Sequence, residues 1–324
     1  MSILRITLCA AALFGLIQSA GAFGTVTILG QNAEHERITR HALACSQSGL
    51  SPSICFQSFS IDQLAGKSGT YGAVGAPDDI TRGLTSKDYA HCDNGDYLNV
   101  ANYPQSQSAA QANLVSCRNW MLTNLNQAVN DAAALLKNGK VDDSQIPTAI
   151  ACSFNGRKGR AKCNVIEDFG LTLHALQDIY SHSNWSDQAG PGAISTSNAP
   201  GLRNNTIITW LNFRSNTGFP PGLISGCFIL GFPPDTDGQR GCPNRATHYY
   251  LNKDKGQIDP SIGKGTTPRG QIDSNFGNAV NLAIRDTRDK WDYLREQLVA
   301  RYGQKNGNLM ICALTHDNAA KDCK

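Results

Sequence analysis

Three patterns are missing from this sequence, and each absence narrows the reading. There is no dense block of lysine and arginine, and the formal net charge is only +3. That excludes a scaffold that grips nucleic acid by surface charge alone. It does not exclude a nuclease, because a metal site holds phosphate without a basic face. No Cys-x2-Cys pair occurs among the eleven cysteines, which argues against thiolate metal ligation. Beyond residue 22 no apolar stretch is long enough to cross a bilayer, so no transmembrane segment is expected. Long strand-like alternation is scarce as well.

What is present begins with the pattern of an export signal. Arg5 supplies a positive n-region, Ile6 to Ile17 a short apolar region, and Ala20-Gly21-Ala22 a small-residue cleavage site. Residues 1–22 are therefore read as a signal peptide, and residues 23–324 as a single domain starting at Phe23. Cys9 leaves with the signal. Cys45, Cys55, Cys92, Cys117, Cys152, Cys163, Cys227, Cys242, Cys312 and Cys323 remain. An even count behind a signal predicts up to five disulfides in an oxidising compartment, extracellular or, in a bacterium, periplasmic. Bridges between near neighbours, such as Cys45–Cys55 or Cys227–Cys242, are expected.

Hydrophobic spacing predicts helices over residues 34–45, 108–138, 165–182 and 275–302, with a short one at 142–152. Asn138-Gly139 reads as the C-terminal stop of the second. Residues 46–105 are rich in Ser, Gly, Asp and Pro and read as structured loops. Residues 183–272 read as a loop-rich insertion pinned by Cys227 and Cys242, too long to lack short elements of its own. The fold class is all-α, with loop-borne decoration.

The chemistry concentrates in His174-Ala-Leu-Gln-Asp178-Ile-Tyr-Ser-His182. Donors four apart on a helix lie along one slowly drifting stripe. The rest of that helix is apolar, and two histidines with an aspartate are costly there unless something pairs them. A hydrogen-bonded core network would pair them, and so would a divalent cation taking imidazole nitrogen and carboxylate oxygen. Glu167 lies near the same stripe, and Glu167 and Asp168 are candidates to orient the ligand histidines. Further donors are His35 and His41 on the first helix, of which at most one is expected at a given metal. Asp78 and Asp79 follow Ala76-Pro77, and His91 opens the run His91-Cys-Asp-Asn-Gly-Asp96. His248 and Asp254 precede the last helix, and His316 lies in the tail.

The phrase from Phe169 to Trp185, with the His35 helix and the Asp-then-His loop, resembles the zinc-dependent phospholipase C and S1/P1 nuclease superfamily, in its Het-C-like branch. The resemblance implies a multi-helix bundle of the phospholipase C/P1 nuclease type, with long disulfide-pinned loops and two or three zinc ions in a cleft. It implies metal ligation by His35, Asp78 or Asp79, His91, His174, Asp178 and His182, with Asp178 bridging two ions. His248 would also be a ligand, as would the freed amino group and carbonyl of Phe23. The acid expected four residues after His248 is instead Asn252, so either Asp254 substitutes or one site is altered.

The expected reaction is in-line hydrolysis of a phosphodiester by metal-activated water, with Asp78 or Asp79 orienting or deprotonating the water. Phospholipase C-like activity is the leading expectation. An S1/P1-type nuclease and a non-enzymatic, metal-stabilised Het-C-like interaction protein are the alternatives. Gly222–Phe232 is an apolar stretch that would meet a membrane surface transiently if exposed. The favoured reading is a buried flap under the Cys227–Cys242 bridge. Tyr71, Tyr89, Tyr97 and Trp185 would instead supply an aromatic slot for bases. The sequence carries no signal for oligomeric state.

Overall fold

The structure, a computed structural model, describes residues 23–27, 31–67, 70–146, 151–154, 156–229, 238–258 and 263–324. The expected signal, residues 1–22, lies outside the described residues, as do the apolar positions Leu230 and Phe232. The architecture is all-α: α1 (Glu34–Leu43), α2 (Ser58–Ala65), α3 (Asp88–His91), α4 (Gln107–Asp131), α5 (Ala161–His182), α6 (His248–Leu251), α7 (Asn275–Thr315) and α8 (Ala319–Asp322). Two short antiparallel hairpins are added. They are β1 (Leu136–Lys137) with β2 (Lys140–Val141), and β3 (Gly256–Gln257) with β4 (Lys264–Gly265).

The centre is α5. Every one of its residues except Asn164 is buried. Such a helix cannot face water on any side, and α4, α7, α3 and α2 surround it. Its apolar positions, among them Val165, Phe169, Leu173, Leu176 and Ile179, join one core with Leu114, Met121 and Leu125 of α4 and Phe276, Val280, Trp291 and Leu294 of α7.

The structure changes several expected boundaries, each for a local reason. The stretch 46–105 is not only loop. It holds α2, two 3-10 turns at Ala76–Asp78 and Ile80–Arg82, and α3. The polar residues that hid α3 are the ones it delivers to the site. Asn138-Gly139 does not end a helix: α4 passes through a 3-10 turn at Ala132–Leu135 into β1. Asn138 and Gly139 then form the hairpin turn, at φ 53° and 71°. Asn-Gly suits both jobs, because both require positive φ. The short helix expected at 142–152 shrinks to a 3-10 turn at Asp143–Gln145, and residues 147–150 lie outside the described set. The last helix runs to Thr315 and bends at Gly303, which sits at φ 79°.

Residues 183–272 are not decoration. Trp185, Ile208, Trp210, Leu211, Leu223 and Ile258 belong to the main core. Leu223, Ile224 and Phe228 are buried as the flap reading expected, while Ile229 is exposed. Five disulfides join Cys45–Cys55, Cys92–Cys117, Cys152–Cys163, Cys227–Cys242 and Cys312–Cys323. Both pairs proposed from spacing are among them. Among the described residues no helix is long and apolar enough to cross a membrane.

Gly170 fixes how the loop carrying Asp78 meets α5. A Cβ there would stand 2.5 Å from the Ala73 carbonyl carbon. Gly170→Ala is expected to push that loop outward and to destabilise the fold by about 1–3 kcal/mol, as overpacking does. Urea unfolding of the variant measures this, and an unchanged midpoint would refute the close-packing argument.

Candidate metal centre

Five of the seven histidines and four aspartates gather in two adjoining pockets at the C-terminal half of α5. None of the nine is more than 5% exposed. In the first pocket, α5 contributes His174 and Asp178, α1 His35, α3 His91, and the first 3-10 turn Asp78. Asp178 Oδ1 faces His35 Nε2 at 3.1 Å. Its Oδ2 faces His174 Nε2 at 3.0 Å and His91 Nδ1 at 3.1 Å. Asp78 Oδ1 stands 3.8 Å from His174 Nε2 and 3.9 Å from His91 Nδ1. The Thr25 hydroxyl donates to the other oxygen of Asp78. Donor atoms of His35, Asp78 and His174, and of His91, His174 and Asp178, lie within 4.8 Å of one another.

The second pocket holds His182 from the end of α5, His248 from α6, Asp254 after it, and Asp93 after α3. Asp254 Oδ1 is 3.2 Å from His182 Nε2, and Asp254 Oδ2 is 3.2 Å from His248 Nε2. Asp93 Oδ1 is 2.9 Å from His182 Nδ1. Asp254 thus occupies the place the sequence left in question at Asn252, whose amide instead meets His248 Nδ1 at 3.4 Å.

The bonding is incomplete in a telling way. His35 Nε2, Asp78 Oδ1, Asp93 Oδ1, Asp178 Oδ1 and His182 Nε2 are buried with no hydrogen-bond partner. Leaving such an atom unsatisfied costs on the order of 1–3 kcal/mol. Three of them lie in the first pocket and two in the second, near enough to their neighbours to attract but not aligned to share protons. A divalent cation would satisfy such nitrogen and oxygen lone pairs together, and the donor set suits zinc.

The electrostatics are those of a strongly coupled cluster. Burial works against protonating His91, yet Asp178, Asp78 and Asp93 together push it up to about 9. Burial likewise opposes charge on His35 and His182. Asp178 and Asp78 still raise the first, and Asp93 and Asp254 raise the second well above its ordinary range. His174 is lowered by burial and by the charge of His35. Burial would raise the carboxylates, but His174, His182 and His35 hold Asp178 well below the usual range, and His248 and His182 depress Asp254.

Not every expected residue arrives. Asp79 is outside the cluster: its carboxylate accepts from the Thr81 amide at 2.9 Å and the Thr81 hydroxyl at 2.7 Å, capping the second 3-10 turn. His41 and His316 are also outside it, since His316 neighbours Cys312 and Cys323, which are bonded to each other. Glu167 and Asp168 do not orient the histidines. Glu167 accepts from the backbone of Gly156 and Arg157 and from Arg82. Asp168 is raised to about 8 by burial, with Asp131 adding to the rise. The orienting groups are backbone carbonyls and one amide. Val74 O faces His174 Nδ1 at 2.8 Å, His91 O faces His182 Nδ1 at 2.9 Å, and Gln177 Oε1 faces His35 Nδ1 at 2.7 Å. Gln177 is steadied by donating to Thr39 and Thr287. A glutamine three positions after His174 on a buried helix was the available signal for it. Phe23 is buried, its ring edge-on to His35 at 6.0 Å, and the next amide, Gly24 N, donates to Asp254 O at 3.1 Å.

The aromatic slot does not form. Tyr89 packs on Trp120 and Tyr97 on Tyr103, Trp185 is buried and donates to Thr206 O, and Tyr71 lines a cavity that the other three do not. Cavities of about 530 and 880 Å³ meet at Asp79, Arg82 and Phe154, beside the turn that carries Asp78. No family model, curated protein or solved structure matches the chain.

Two outcomes are expected. In the metal-free chain the raised His91 adds stability that is complete below its ordinary 6.5 and is lost as pH rises through about 9. Asp178 and Asp254, depressed from 3.8, add stability that is complete above that value and is lost as pH falls below it. The melting temperature without metal should therefore peak between these limits and fall on both sides. Zinc should flatten the alkaline side, because the cation replaces the histidine protons. A metal-free melting temperature that climbs above pH 7 would contradict the assignment. Separately, Gln177→Leu should weaken metal binding about 10–100-fold, as loss of an orienting partner does. Competition against a chromophoric chelator reads this directly.

Proposed function

We propose that the chain is a secreted, metal-dependent phosphodiester hydrolase of the phospholipase C/P1 nuclease type, Het-C-like, with phospholipid the leading substrate class. The observation that carries the reading is the set of five orphaned donor atoms buried among five histidines and four aspartates. Secretion is supported by the signal-like first 22 residues and the five disulfides.

His35, Asp78, His91, His174 and Asp178 would hold zinc in the first pocket. Asp178 would bridge two ions, a role supported by its two oxygens facing different histidines. His182, His248 and Asp254 would hold a further ion. Bound divalent cations supply positive charge against phosphoryl oxygens and acidify water. Asp78 is the residue suited to take the water's proton. Thr25 fixes its Oδ2, leaving Oδ1 turned toward His91 and His174 and free of partners. With His91 it is also the least buried member of the first pocket. Asp79, bound to Thr81, has no part in this step.

A phospholipid would find apolar surface in a cavity of about 400 Å³ lined by Leu98, Val100, Ile194, Leu223 and Ile224, with Val100 and Ile194 exposed. The nuclease reading is favoured by a different feature. The groove beside Asp78 carries Tyr71, Phe154, Trp120, Arg82, Arg157 and Lys158, a mixture of aromatic faces and cations that suits single-stranded nucleic acid.

The purified protein is expected to contain zinc and to hydrolyse choline phospholipid vesicles. A chelator should abolish the activity and added zinc should restore it. Asp178→Asn, which removes a ligand, and Asp78→Asn, which removes the acid–base group, should each lower turnover by at least about 100-fold, and Asp79→Asn should not. Cleavage of single-stranded DNA in place of phospholipid would select the nuclease reading. Activity that survives complete metal removal would overturn the proposal, and metal binding with no hydrolysis of either substrate would favour the interaction protein.

A further inference from the structure

We infer that Asp93 is a metal ligand, so that Asp93, His182, His248 and Asp254 form a four-donor pocket closed by side chains alone. The inference rests on reading the cluster as a metal centre. It differs from the ligand set that the family resemblance implies, which does not include Asp93.

Four observations carry it. One donor atom each of Asp93, His182 and His248 lie within 4.8 Å of one another, and Asp254 bridges the Nε2 atoms of both histidines at 3.2 Å. Nδ1 of His182 meets the carbonyl of His91 at 2.9 Å, and a carbonyl only accepts, so Nδ1 keeps its hydrogen and Nε2 is the ring nitrogen left to meet a cation. Asp93 Oδ1 also stands 2.9 Å from Nδ1, yet that hydrogen already has the His91 carbonyl as its acceptor. The same Asp93 oxygen is buried with no hydrogen-bond partner, as is His182 Nε2. Finally, Asp93 is held in place by its neighbours. Cys92 at φ 56° and Asn94 at φ 60° turn the chain around it, and Cys92 is bonded to Cys117 on α4. The Asn94 side chain donates to Phe228 O and accepts from Phe228 N, both at 3.1 Å. Backbone at positive φ on both sides of a buried carboxylate oxygen that accepts no hydrogen bond is costly, and a bound cation would compensate it.

A pocket with four protein donors has no open position, which marks a structural site, whereas catalytic sites keep one position for water or substrate. The ion held by Asp93 would thus fasten α3, the end of α5 and α6 together, leaving the reaction to the first pocket.

The test is metal stoichiometry and release, measured on the zinc-loaded protein. Asp93→Asn, checked for folding by circular dichroism, should lose one equivalent on dialysis or release it to chelator about 10–100-fold faster. Asp93→Glu should restore part of the retention. If Asp93→Asn fails to fold, the unmodified protein loaded with cobalt(II) decides. The visible bands of one equivalent should stay unchanged when inorganic phosphate is added, while the others shift. Asp93→Asn that keeps every equivalent at an unchanged release rate, or cobalt bands that all shift with phosphate, overturns the assignment of Asp93 alone. A protein that binds no metal at all overturns the hydrolase reading with it.

Discussion

The structure depends on one constraint: four carboxylates and five imidazoles are withdrawn from water around the end of a single buried helix. Isolated charges in such a place cost several kcal/mol each even after relaxation. Within α5 the His174–Asp178 contact, at 3.0 Å, offsets part of that cost. The rest of the compensation comes from groups brought in by α1, α3, α6 and the connecting loops. The cluster therefore acts as the point at which distant parts of the chain must agree.

This explains why residues with little apolar character are nonetheless fixed. Asp254, outside any helix or strand, accepts from the Ser181 hydroxyl at 2.5 Å and faces two histidines. Its neighbour Lys253 is fully buried and donates to Ser183 O, Leu251 O and Asp187. Arg269 pairs with the same Asp187 at 2.9 Å. A Gly- and Pro-rich segment cannot bury enough hydrocarbon to order itself. Here it is ordered by a chain of buried ion pairs leading from the cluster outward, in addition to the Trp185, Trp210 and Leu223 side chains it lends to the core.

The helical core was legible because its signal is periodic and local. Leu173, Leu176 and Ile179 repeat at helical spacing, and α5 follows from them. His174, Asp178 and His182 were legible for the same reason, although the helix divides them between two pockets. What stayed hidden rests on non-local geometry. Asp79 and Asp78 are adjacent and chemically alike, and only the turn's capping bond to Thr81 tells them apart. Asp93 carries no periodic signal, because Cys92 and Asn94 reverse the local direction of the chain at positive φ. The short spacing His91-x-Asp93 beside a disulfide cysteine was its only trace. Glu167 and Asp168 share the helix with the cluster but sit about two turns before His174, where Arg82, Asp131 and backbone amides claim them. Helical phase alone cannot separate residues that share a stripe at different heights.

The two pockets are not independent, and His91 is the reason. Its ring stands in the first pocket against Asp178 and His174, while its carbonyl holds the ring of His182 in the second. The residue that follows, Cys92, ties this backbone to α4, and the next, Asp93, faces His182. A displacement of α3 would therefore disturb a side chain in one pocket and the orientation of a histidine in the other. Both rest on α5, which is packed on all sides and cannot shift to absorb the change. Protons and cations are alternative ways of neutralising the same carboxylates, and His91 meets both pockets, its ring against Asp178 and its carbonyl against His182.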